Sequence, residues 1–207
     1  MTRHTGSSHR WRERQERDPY VERAVRGGWR ARAVFKLEQI QAKEKILRPG
    51  GVCLDLGASP GSWSQYAARI VGDKGLIVAQ DLLPMEPISG VNFVQGDFTE
   101  AATLAAVREL LNERPVDLVM SDMAPNISGN RAIDQPRSIA LADEALLLAT
   151  EVLKPGGDFL VKLFQGVGFD DFVNEVGARF SKTRLLKPKA SRAASREIYL
   201  LARVYRM

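Results

Sequence analysis

The sequence predicts an α/β fold in which helices cover both faces of a mostly parallel sheet. Short apolar segments alternate with longer amphipathic segments from about residue 50 onward, as in parallel strands joined by helical crossovers. The apolar segments read as continuous runs, which is typical of strands buried on both faces. The first of them, VCLDLG at 52–57, leads into a glycine-rich turn, and doubly wound sheets bind their ligands at turns of this kind.

The elements follow one another in a regular order. The pattern becomes helical from Pro19, and apolar residues spaced three and four apart predict a helix over about 30–45. The segment Pro49-Gly50-Gly51 then breaks the helical pattern. Strands are predicted, in order, at 52–57, 75–82, 91–97, 116–123, 158–164 and 196–205. Helices are predicted between them at 62–71, 103–113, 140–153 and 169–180.

The length of 207 residues fits one domain with a sizeable core. Residues 1–19 are polar and arginine-rich, which predicts a flexible basic tail ahead of a domain spanning 20–207. No apolar run approaches the roughly 18 residues of a membrane span, and the start lacks the apolar core of a secretory signal. The single Cys53 cannot form an internal disulfide, which fits a reducing cytoplasm.

Basic residues crowd both ends of the chain around a neutral to acidic middle. The net charge is +5, with nine arginines from Arg3 to Arg32 and seven lysines or arginines from Arg179 to Arg196. This distribution predicts that a polyanion such as RNA lies across both ends, while the alternative is that the clusters are solvated surfaces. Trp11, Tyr20 and Trp29 could stack on bases, with packing as an equal alternative for the last two.

The strongest local motif is the strand-to-helix turn Leu54-Asp55-Leu56-Gly57-Ala58-Ser59-Pro60-Gly61-Ser62-Trp63. Gly57 and Gly61 would let the backbone approach a ligand closely. The spacing departs from G-x-G-x-x-G, which favours a dinucleotide pyrophosphate. It resembles instead the first motif of class I S-adenosylmethionine-dependent methyltransferases, whose loop packs against the amino acid and ribose of the cofactor. We therefore expect Gly57, Pro60 and Gly61 to line a cofactor site.

Three further residues are expected at the cofactor site. Asp81 ends the next strand, where a carboxylate can accept hydrogen bonds from both ribose hydroxyls. Asp97 ends the third strand and could accept a hydrogen bond from the adenine amino group, although an aspartate after a strand is also a common helix cap. Trp63 lies close behind Gly61 and is expected to contact the cofactor, with a core position as the alternative.

Four ionisable residues at the edges of buried elements suggest a shared cleft. Lys162 lies inside the apolar strand DFLVKLF and must reach a polar partner or a cavity, because burying an unpaired ammonium costs several kcal/mol. Asp122 ends the fourth strand, Glu197 opens the last strand and Lys36 lies in the early helix. Taken singly, Lys36 or Glu197 could equally be a surface ion-pair partner. No metal site is predicted, because Cys53 has no ligand-spaced partner and both histidines lie in the tail.

Nearly the whole chain from about residue 20 resembles the FtsJ-like family, and within it the bacterial 23S ribosomal RNA 2′-O-methyltransferases. The matching segments are RAVFKL, VCLDLGASPGSWSQ, SDMAPNISG, VLKPGGDFLVKLFQG and KPKASRAASREIYLLA, with the strand-end acids Asp81 and Asp97. The resemblance implies a class I methyltransferase, Rossmann-like fold with a seven-stranded, mostly parallel sheet and helices on both faces. Ser59 and Ser62 replace the Ala and Gly that are common in the family, which could alter the affinity for the cofactor.

The family order Lys36, Asp122, Lys162 and Glu197 implies that these four residues form the catalytic set. The implied reaction transfers a methyl group from S-adenosylmethionine to the ribose 2′-hydroxyl of a uridine in 23S ribosomal RNA, within the 50S subunit. Asp122 would hold Lys162 and face the cofactor. Lys162 either accepts the hydroxyl proton or stays charged and stabilises developing oxyanion charge, and the sequence leaves both roles open. We expect a cytoplasmic monomer that binds neither metal nor membrane.

Three other functions fit parts of the sequence. A 2′-O-methyltransferase acting on transfer RNA or a messenger cap would keep the fold and the chemistry, but the compact chain favours ribosomal RNA. A ribosome-assembly factor without catalysis would not need all four residues of the set. A nicotinamide-dependent oxidoreductase is disfavoured by the spacing of the glycine-rich loop.

Overall fold

A seven-stranded sheet forms the centre of the computed structural model, which describes residues 18–125, 128–192 and 195–206. The strands are β1 (Val52–Leu56), β2 (Leu76–Asp81), β3 (Val91–Gln95), β4 (Val116–Ser121), β5 (Leu153–Phe164), β6 (Phe180–Leu186) and β7 (Glu197–Tyr205). The helices are α1 (Pro19–Arg26), α2 (Val34–Glu44), α3 (Ser62–Val71), α4 (Ala101–Leu111), α5 (Arg131–Val152) and α6 (Phe169–Arg179). The predicted α/β class with a seven-stranded sheet is confirmed.

The strand order is β3-β2-β1-β4-β5-β7-β6. Strands β1 to β5 run parallel, and β7 lies antiparallel between β5 and β6. The chain leaves β1 towards β2 and β3, and then returns to place β4 on the other side of β1. A sheet of this kind binds ligands where the order reverses, outside the carboxyl ends of its strands. The topology therefore predicts a ligand site at the carboxyl ends of β1 and β4.

Helices cover the sheet on both faces, as predicted. On one face, α4, α5 and α6 bury Val107, Ala145 and Phe172 against the strands. On the other face, α2 and α3 bury apolar side chains that include Leu37 and Trp63. The core under α1 is smaller and holds Ala24, Val34, Phe35 and Ala190, so it joins the beginning of the domain to the segment before β7.

Three elements differ from the sequence-based prediction. Strand β5 begins at Leu153 instead of near residue 158. The edge strand β6 was not predicted, because most of its residues are exposed and it therefore lacks an apolar pattern. Helix α5 begins at Arg131 instead of near residue 140, because the Asn130 side chain caps it by accepting a hydrogen bond from the Ala132 N–H at 3.1 Å. Pro136 is the sixth residue of this helix, beyond the first turn, so the helix lacks the hydrogen bond that an N–H at this position would donate to the Ala132 carbonyl. This proline favoured the later start that the sequence predicted.

Helix α1 opens the part of the chain that the structure describes. Asp18 caps α1 by accepting a hydrogen bond from the Tyr20 N–H at 3.0 Å, and α1 begins at Pro19. The rest of the predicted tail, including Trp11, lies outside the described residues. No helix in the described part of the chain is long and apolar enough to cross a membrane.

Two glycines offer a matched test of this packing. At Gly75, in the turn between α3 and β2, a Cβ would lie 1.8 Å from Val71 Cγ1 and 2.6 Å from the Gly51 carbonyl oxygen. Gly75→Ala is expected to lower the free energy of unfolding by about 1–3 kcal/mol through overpacking. At Gly177, within α6, no atom lies within 4 Å of the added carbon. Gly177→Ala is expected to raise the same free energy by about 0.5–1 kcal/mol, because alanine has the higher helix propensity. Urea unfolding measures both, and equal effects would contradict this account.

Candidate active site

The predicted cofactor residues share one edge of the sheet. The last residues of β1 pair with β2 on one side and with β4 on the other, so Gly57, Asp81 and Asp122 occupy neighbouring positions. Asp97 follows β3, which pairs with the far side of β2. The topological switch point therefore brings together a glycine-rich turn and three carboxylates.

The glycine-rich turn after β1 is closely packed by protein side chains. Gly57 and Gly61 have φ angles of 70° and 102°, in the left-handed region. A Cβ at Gly57 would lie 2.1 Å from Met123 Cγ, and a Cβ at Gly61 would lie 2.6 Å from Ile88 Cδ1. Both positions thus require glycine in the protein itself, before any ligand binds. The loops after β2 and β4 press against the turn and hold its shape.

The two strand-end acids beside the turn differ in their contacts. The two carboxylate oxygens of Asp81 each accept one hydrogen bond at 2.8 Å, from the N–H groups of Ser59 and Leu83. An ionised carboxylate has about four acceptor positions, so Asp81 can still accept from two hydroxyls. Asp97 accepts from the N–H and the hydroxyl of Thr99 at 2.9 and 2.7 Å, in the turn that leads to α4. These bonds lower the pKa of Asp97. They stabilise the turn ahead of α4 and are not the helix cap that the sequence offered as the alternative, because the N-cap of α4 is Glu100.

The Trp63 side chain belongs to the core. It is 3% exposed, its indole N–H donates to the Ala33 carbonyl at 2.9 Å, and its ring lies 5.8 Å from the Tyr199 ring. The indole position matches the alternative that the sequence left open. The backbone N–H of Trp63 lies in the first turn of α3, where such groups have no partner within the helix. The backbone N–H of Trp63 can therefore donate a hydrogen bond to an anionic group of a ligand.

Lys162 and Asp122 form the centre of a charged cluster on three adjacent strands. The Lys162 ammonium lies 3.0 Å from Asp122 Oδ1 and also donates to the Asp122 carbonyl. Tyr199, the cross-strand partner of Lys162, donates its hydroxyl to Asp122 Oδ1 at 2.6 Å. The register of β4, β5 and β7 therefore places a cation and a hydroxyl on one carboxylate.

Lys36 joins this cluster from α2. Its ammonium lies 2.9 Å from Glu197 Oε1 and 3.7 Å from Asp122 Oδ2. Glu197 also accepts the Ser191 hydroxyl at 2.7 Å. The four charged side chains are between 7% and 17% exposed. Their two positive and two negative charges balance, as they must where desolvation makes an unpaired charge costly.

The electrostatics of the cluster define which groups carry charge. Burial by itself would raise the pKa of Asp122, but the charges of Lys162 and Lys36 and the hydrogen bond from Tyr199 outweigh it and hold that pKa below its ordinary value. Burial, followed by the charge of Asp122, raises the pKa of Tyr199 well above its ordinary value. Asp122 is therefore a fixed anion, and Tyr199 remains a hydrogen-bond donor to it.

Sequence reasoning missed Tyr199 and gave no role to Asp55. A signal for Tyr199 exists: it follows Glu197 by two residues and so shares its face of β7, and a buried tyrosine hydroxyl needs a partner. Asp55 is 1% exposed and accepts the Ser64 hydroxyl at 2.6 Å. Burial and the nearby charges of Asp122 and Asp81 raise the pKa of Asp55 to about 7, against the effect of the Ser64 bond.

The two basic ends of the chain meet beside the cluster. Arg32 donates to the Asp18 carboxylate and to the Ala190 carbonyl, and Arg192 Nε lies 3.5 Å from the same carboxylate. These arginines border a cavity of about 290 Å³ that also contacts Lys36. The described parts of both basic clusters thus converge on one side of the charged cluster.

Several residues that the sequence offered for RNA contact pack within the protein. Arg30 donates to the carbonyls of Pro60, Glu86 and Pro87 at 3.1, 2.6 and 2.7 Å, and so ties the glycine-rich turn to the loop after β2. The rings of Tyr20 and Trp29 lie 5.5 and 5.9 Å from those of Phe35 and Tyr66.

A family model for FtsJ-like methyltransferases matches residues 29–205. The chain belongs to this family. The match extends from the segment before α2 to the last residue of β7, so it includes both the glycine-rich turn and the charged cluster of this FtsJ-like methyltransferase.

Individual relatives of this FtsJ-like methyltransferase agree with the assignment. Proteins named ribosomal RNA large subunit methyltransferase E are 54% identical in Pseudomonas paraeruginosa, over 97% of both chains, and 54% identical in Alkalilimnicola ehrlichii, over 95% of this chain and 94% of that one. A crystal structure described as a ribosomal RNA methyltransferase from Plasmodium falciparum has 28% identity and a TM-score of 0.78, and the match covers 86% of this chain and 98% of that one. An rRNA-methylase structure from Clostridium thermocellum, with 19% identity and a TM-score of 0.55 over 82% and 97% of the two chains, shares the fold.

Tyr199→Phe tests the hydrogen bond to Asp122. The substitution removes one donor from a buried carboxylate, and we expect the free energy of unfolding to fall by about 1.5–3 kcal/mol. Methyl transfer should fall as well, because the orientation of Asp122 is no longer fixed. Tyr205→Phe is the matched control, since that hydroxyl donates to the Thr150 carbonyl at 3.1 Å, away from the cluster. If the two variants transfer methyl groups equally well, Tyr199 does not position Asp122.

Asp55→Asn tests the buried acid. Between the ordinary aspartate pKa and pH 7, the folded protein keeps a proton on Asp55 that the unfolded chain releases. The free energy of unfolding of wild type therefore falls as the pH rises through that range. Above about pH 7, Asp55 causes no further change. The variant should therefore gain stability relative to wild type, by on the order of 2 kcal/mol, between about pH 5 and pH 8. Ser64→Ala removes the hydrogen bond that lowers the pKa of Asp55. In this variant, the free energy of unfolding should therefore continue to fall up to a higher pH than in wild type. Denaturant unfolding across this range measures both, and a constant difference between Asp55→Asn and wild type would refute the assignment.

Proposed function

We propose that this protein transfers a methyl group from S-adenosylmethionine to the ribose 2′-hydroxyl of a uridine in 23S ribosomal RNA. Its substrate would be the 50S subunit, and it would act as a monomer in the cytoplasm. The observation that carries the proposal is the pairing of Lys162 with Asp122 at the switch point of the sheet, next to the glycine-rich turn. The relatives named ribosomal RNA large subunit methyltransferase E support it, because they match nearly the full length of this chain.

The residues around the turn fit S-adenosylmethionine. Asp81 would accept hydrogen bonds from the ribose hydroxyls, and Asp97 would accept one from the adenine amino group. The turn of Gly57, Pro60 and Gly61 would pack against the cofactor, and the Trp63 N–H would donate to the cofactor carboxylate. The cofactor supplies an electrophilic methyl group on a positively charged sulfur. Asp122 lies at the same edge of the sheet and would face the cofactor, with its negative charge matched by Lys162 and Lys36.

Lys162 would orient the acceptor hydroxyl in its charged form. Its contacts with the carboxylate and carbonyl of Asp122 are those that an ammonium donates, and Asp122 carries the matching negative charge. A remaining N–H can donate to the 2′-oxygen and stabilise the negative charge that develops on it. The cofactor would supply the methyl carbon and keep the bonding electrons on its sulfur, and the hydroxyl oriented by Lys162 would lose its proton to water. Lys36, Glu197 and Tyr199 would hold this geometry.

Exposed basic groups near the cluster would bind the RNA backbone. The side chains of Lys189, Arg192 and Arg196 are exposed in the segment before β7, and the arginine-rich residues 1–17 precede the described part of the chain. Binding through such groups releases counterions, so the affinity for the large subunit should fall steeply with salt.

Transfer of labelled methyl groups tests the proposal. The acceptor is purified large subunits from a strain that lacks this protein, and the donor carries a radiolabelled methyl group. We expect label at one alkali-resistant dinucleotide of the subunit RNA. Lys162→Ala should reduce the rate by about 100-fold or more. Lys154→Ala should leave it unchanged, because this half-buried lysine near the start of the same strand pairs with Asp117, away from the cluster.

The other outcomes separate the alternatives. Label on transfer RNA instead of subunits would favour the second substrate class, and tight RNA binding with no transfer would favour a non-catalytic assembly factor. The pH profile tests the role of Lys162 above the range in which Asp55 titrates. A charged lysine predicts a flat rate from about pH 7.5 to 9, whereas a general base predicts a rate that rises about tenfold per unit.

A further inference from the structure

A second cavity lies next to Glu197 of the charged cluster, because its lining includes Phe164, the cross-strand partner of Glu197, and Arg196, its chain neighbour. The proposed mechanism gives this cavity no role. It has a volume of about 310 Å³ and lies at the carboxyl ends of β4 and β5. Its lining includes Pro125, Phe164 and Val167, and much of its wall is apolar. Phe164 lies two residues after Lys162 on β5 and pairs with Glu197 of β7.

The spacing on β5 places an aromatic ring beside the reacting group. Residues two apart on a strand share a face, so Lys162 and Phe164 point to the same side of the sheet. They are about 7 Å apart along the strand, which one nucleotide can span. A base held against Phe164 can therefore belong to the nucleotide whose ribose reaches Lys162.

The wall of the cavity is preformed. The Gln135 side-chain amide donates to the carbonyls of Phe164 and Val167 at 2.7 and 3.3 Å. A Cβ at Gly166 would lie 2.7 Å from Gln135 Cδ, so the turn after β5 is pressed onto α5 without room for a side chain. These contacts hold the apolar turn in place, although Val167 itself is 83% exposed.

The charges at the rim are those that a nucleic acid requires. Arg131 and Arg196 are exposed and line the cavity, and arginine binds phosphate readily. The acid in the lining is Asp134, whose carboxylate accepts hydrogen bonds from Ser128 and Gly129 at 2.8–3.0 Å. The negative charge of Asp134 is therefore directed at these loop groups. Among the described residues, Arg131 and Arg196 form no ion pair, and their exposed guanidinium groups can contact flanking phosphates.

We infer that this cavity receives the splayed-out base of the acceptor nucleotide, which stacks on Phe164 and is covered by Val167. Sequence-specific proteins commonly bind unpaired bases on aromatic side chains. The inference rests on the proposed function and extends it to a base-binding site. The 290 Å³ cavity bordered by Arg32 and Arg192 has a charged lining instead, which suits the RNA backbone.

Crosslinking tests where the base lies. Large subunits that carry 4-thiouridine at the methylated position are irradiated with the full-length protein, and the crosslinked peptide is identified by mass spectrometry. We expect the attachment at Phe164, Val167 or Pro125. Attachment at Arg32, Lys36 or Arg192 would overturn the inference.

Kinetics provide an independent test. Phe164→Ala should raise the KM for large subunits by roughly tenfold, and Val167→Ser should raise it less. Neither should change the affinity for S-adenosylmethionine, measured by equilibrium dialysis. Leu147→Ser is the matched control, because Leu147 is an exposed aliphatic residue on α5 outside this cavity. Absence of wild-type transfer to subunits would contradict the proposed function, whereas wild-type transfer with an unchanged KM in both variants would contradict only the base site.

Discussion

The carboxylate of Asp122 is largely buried at the carboxyl end of β4, so its negative charge must be neutralised by groups of the protein. Much of the surrounding structure meets this requirement. The parallel register of β4 and β5 brings the Lys162 ammonium beside it, and β7 adds the Tyr199 hydroxyl. Lys36 reaches the same carboxylate from α2 and is balanced in turn by Glu197. Because a buried ion pair is weak evidence for stability, we interpret this arrangement as an organisation of charge for chemistry.

Strand β4 divides the site into two halves. On the side of β1 and β2, the glycine-rich turn and Asp81 form the proposed donor site. On the side of β5, Lys162 and Phe164 face the proposed acceptor. Asp122 lies at the end of β4 and contacts residues of the acceptor half while lying beside the donor half. The alignment of the two substrates therefore depends on a few residues at the end of one strand. Such an alignment favours a displacement in which the acceptor oxygen, the methyl carbon and the sulfur must lie in line.

The sequence allowed the fold class, the positions of six strands and the four charged residues of the cluster to be predicted, because apolar runs and strand-end acids are local signals. The residues that it missed depend on contacts between distant elements. Edge strand β6 has no apolar alternation, and the role of Tyr199 depends on the pairing of β7 with β5. The Trp63 indole was expected at the cofactor, but its hydrogen bond to Ala33 could be found only once α2 and α3 were placed against each other.

The position of β7 between β5 and β6 has a consequence for how the protein is made. Lys36 and Glu197 are separated by 161 positions, yet they contact each other directly. The ribosome synthesises the chain from its N-terminus, so the early strands can pair while the last strand is still being synthesised. Strand β6 cannot join the sheet until β7 fills the gap, and Glu197 and Tyr199 arrive with that strand. A nascent chain therefore holds an incomplete site, and the four charged side chains come together only after nearly the whole polypeptide has left the ribosome.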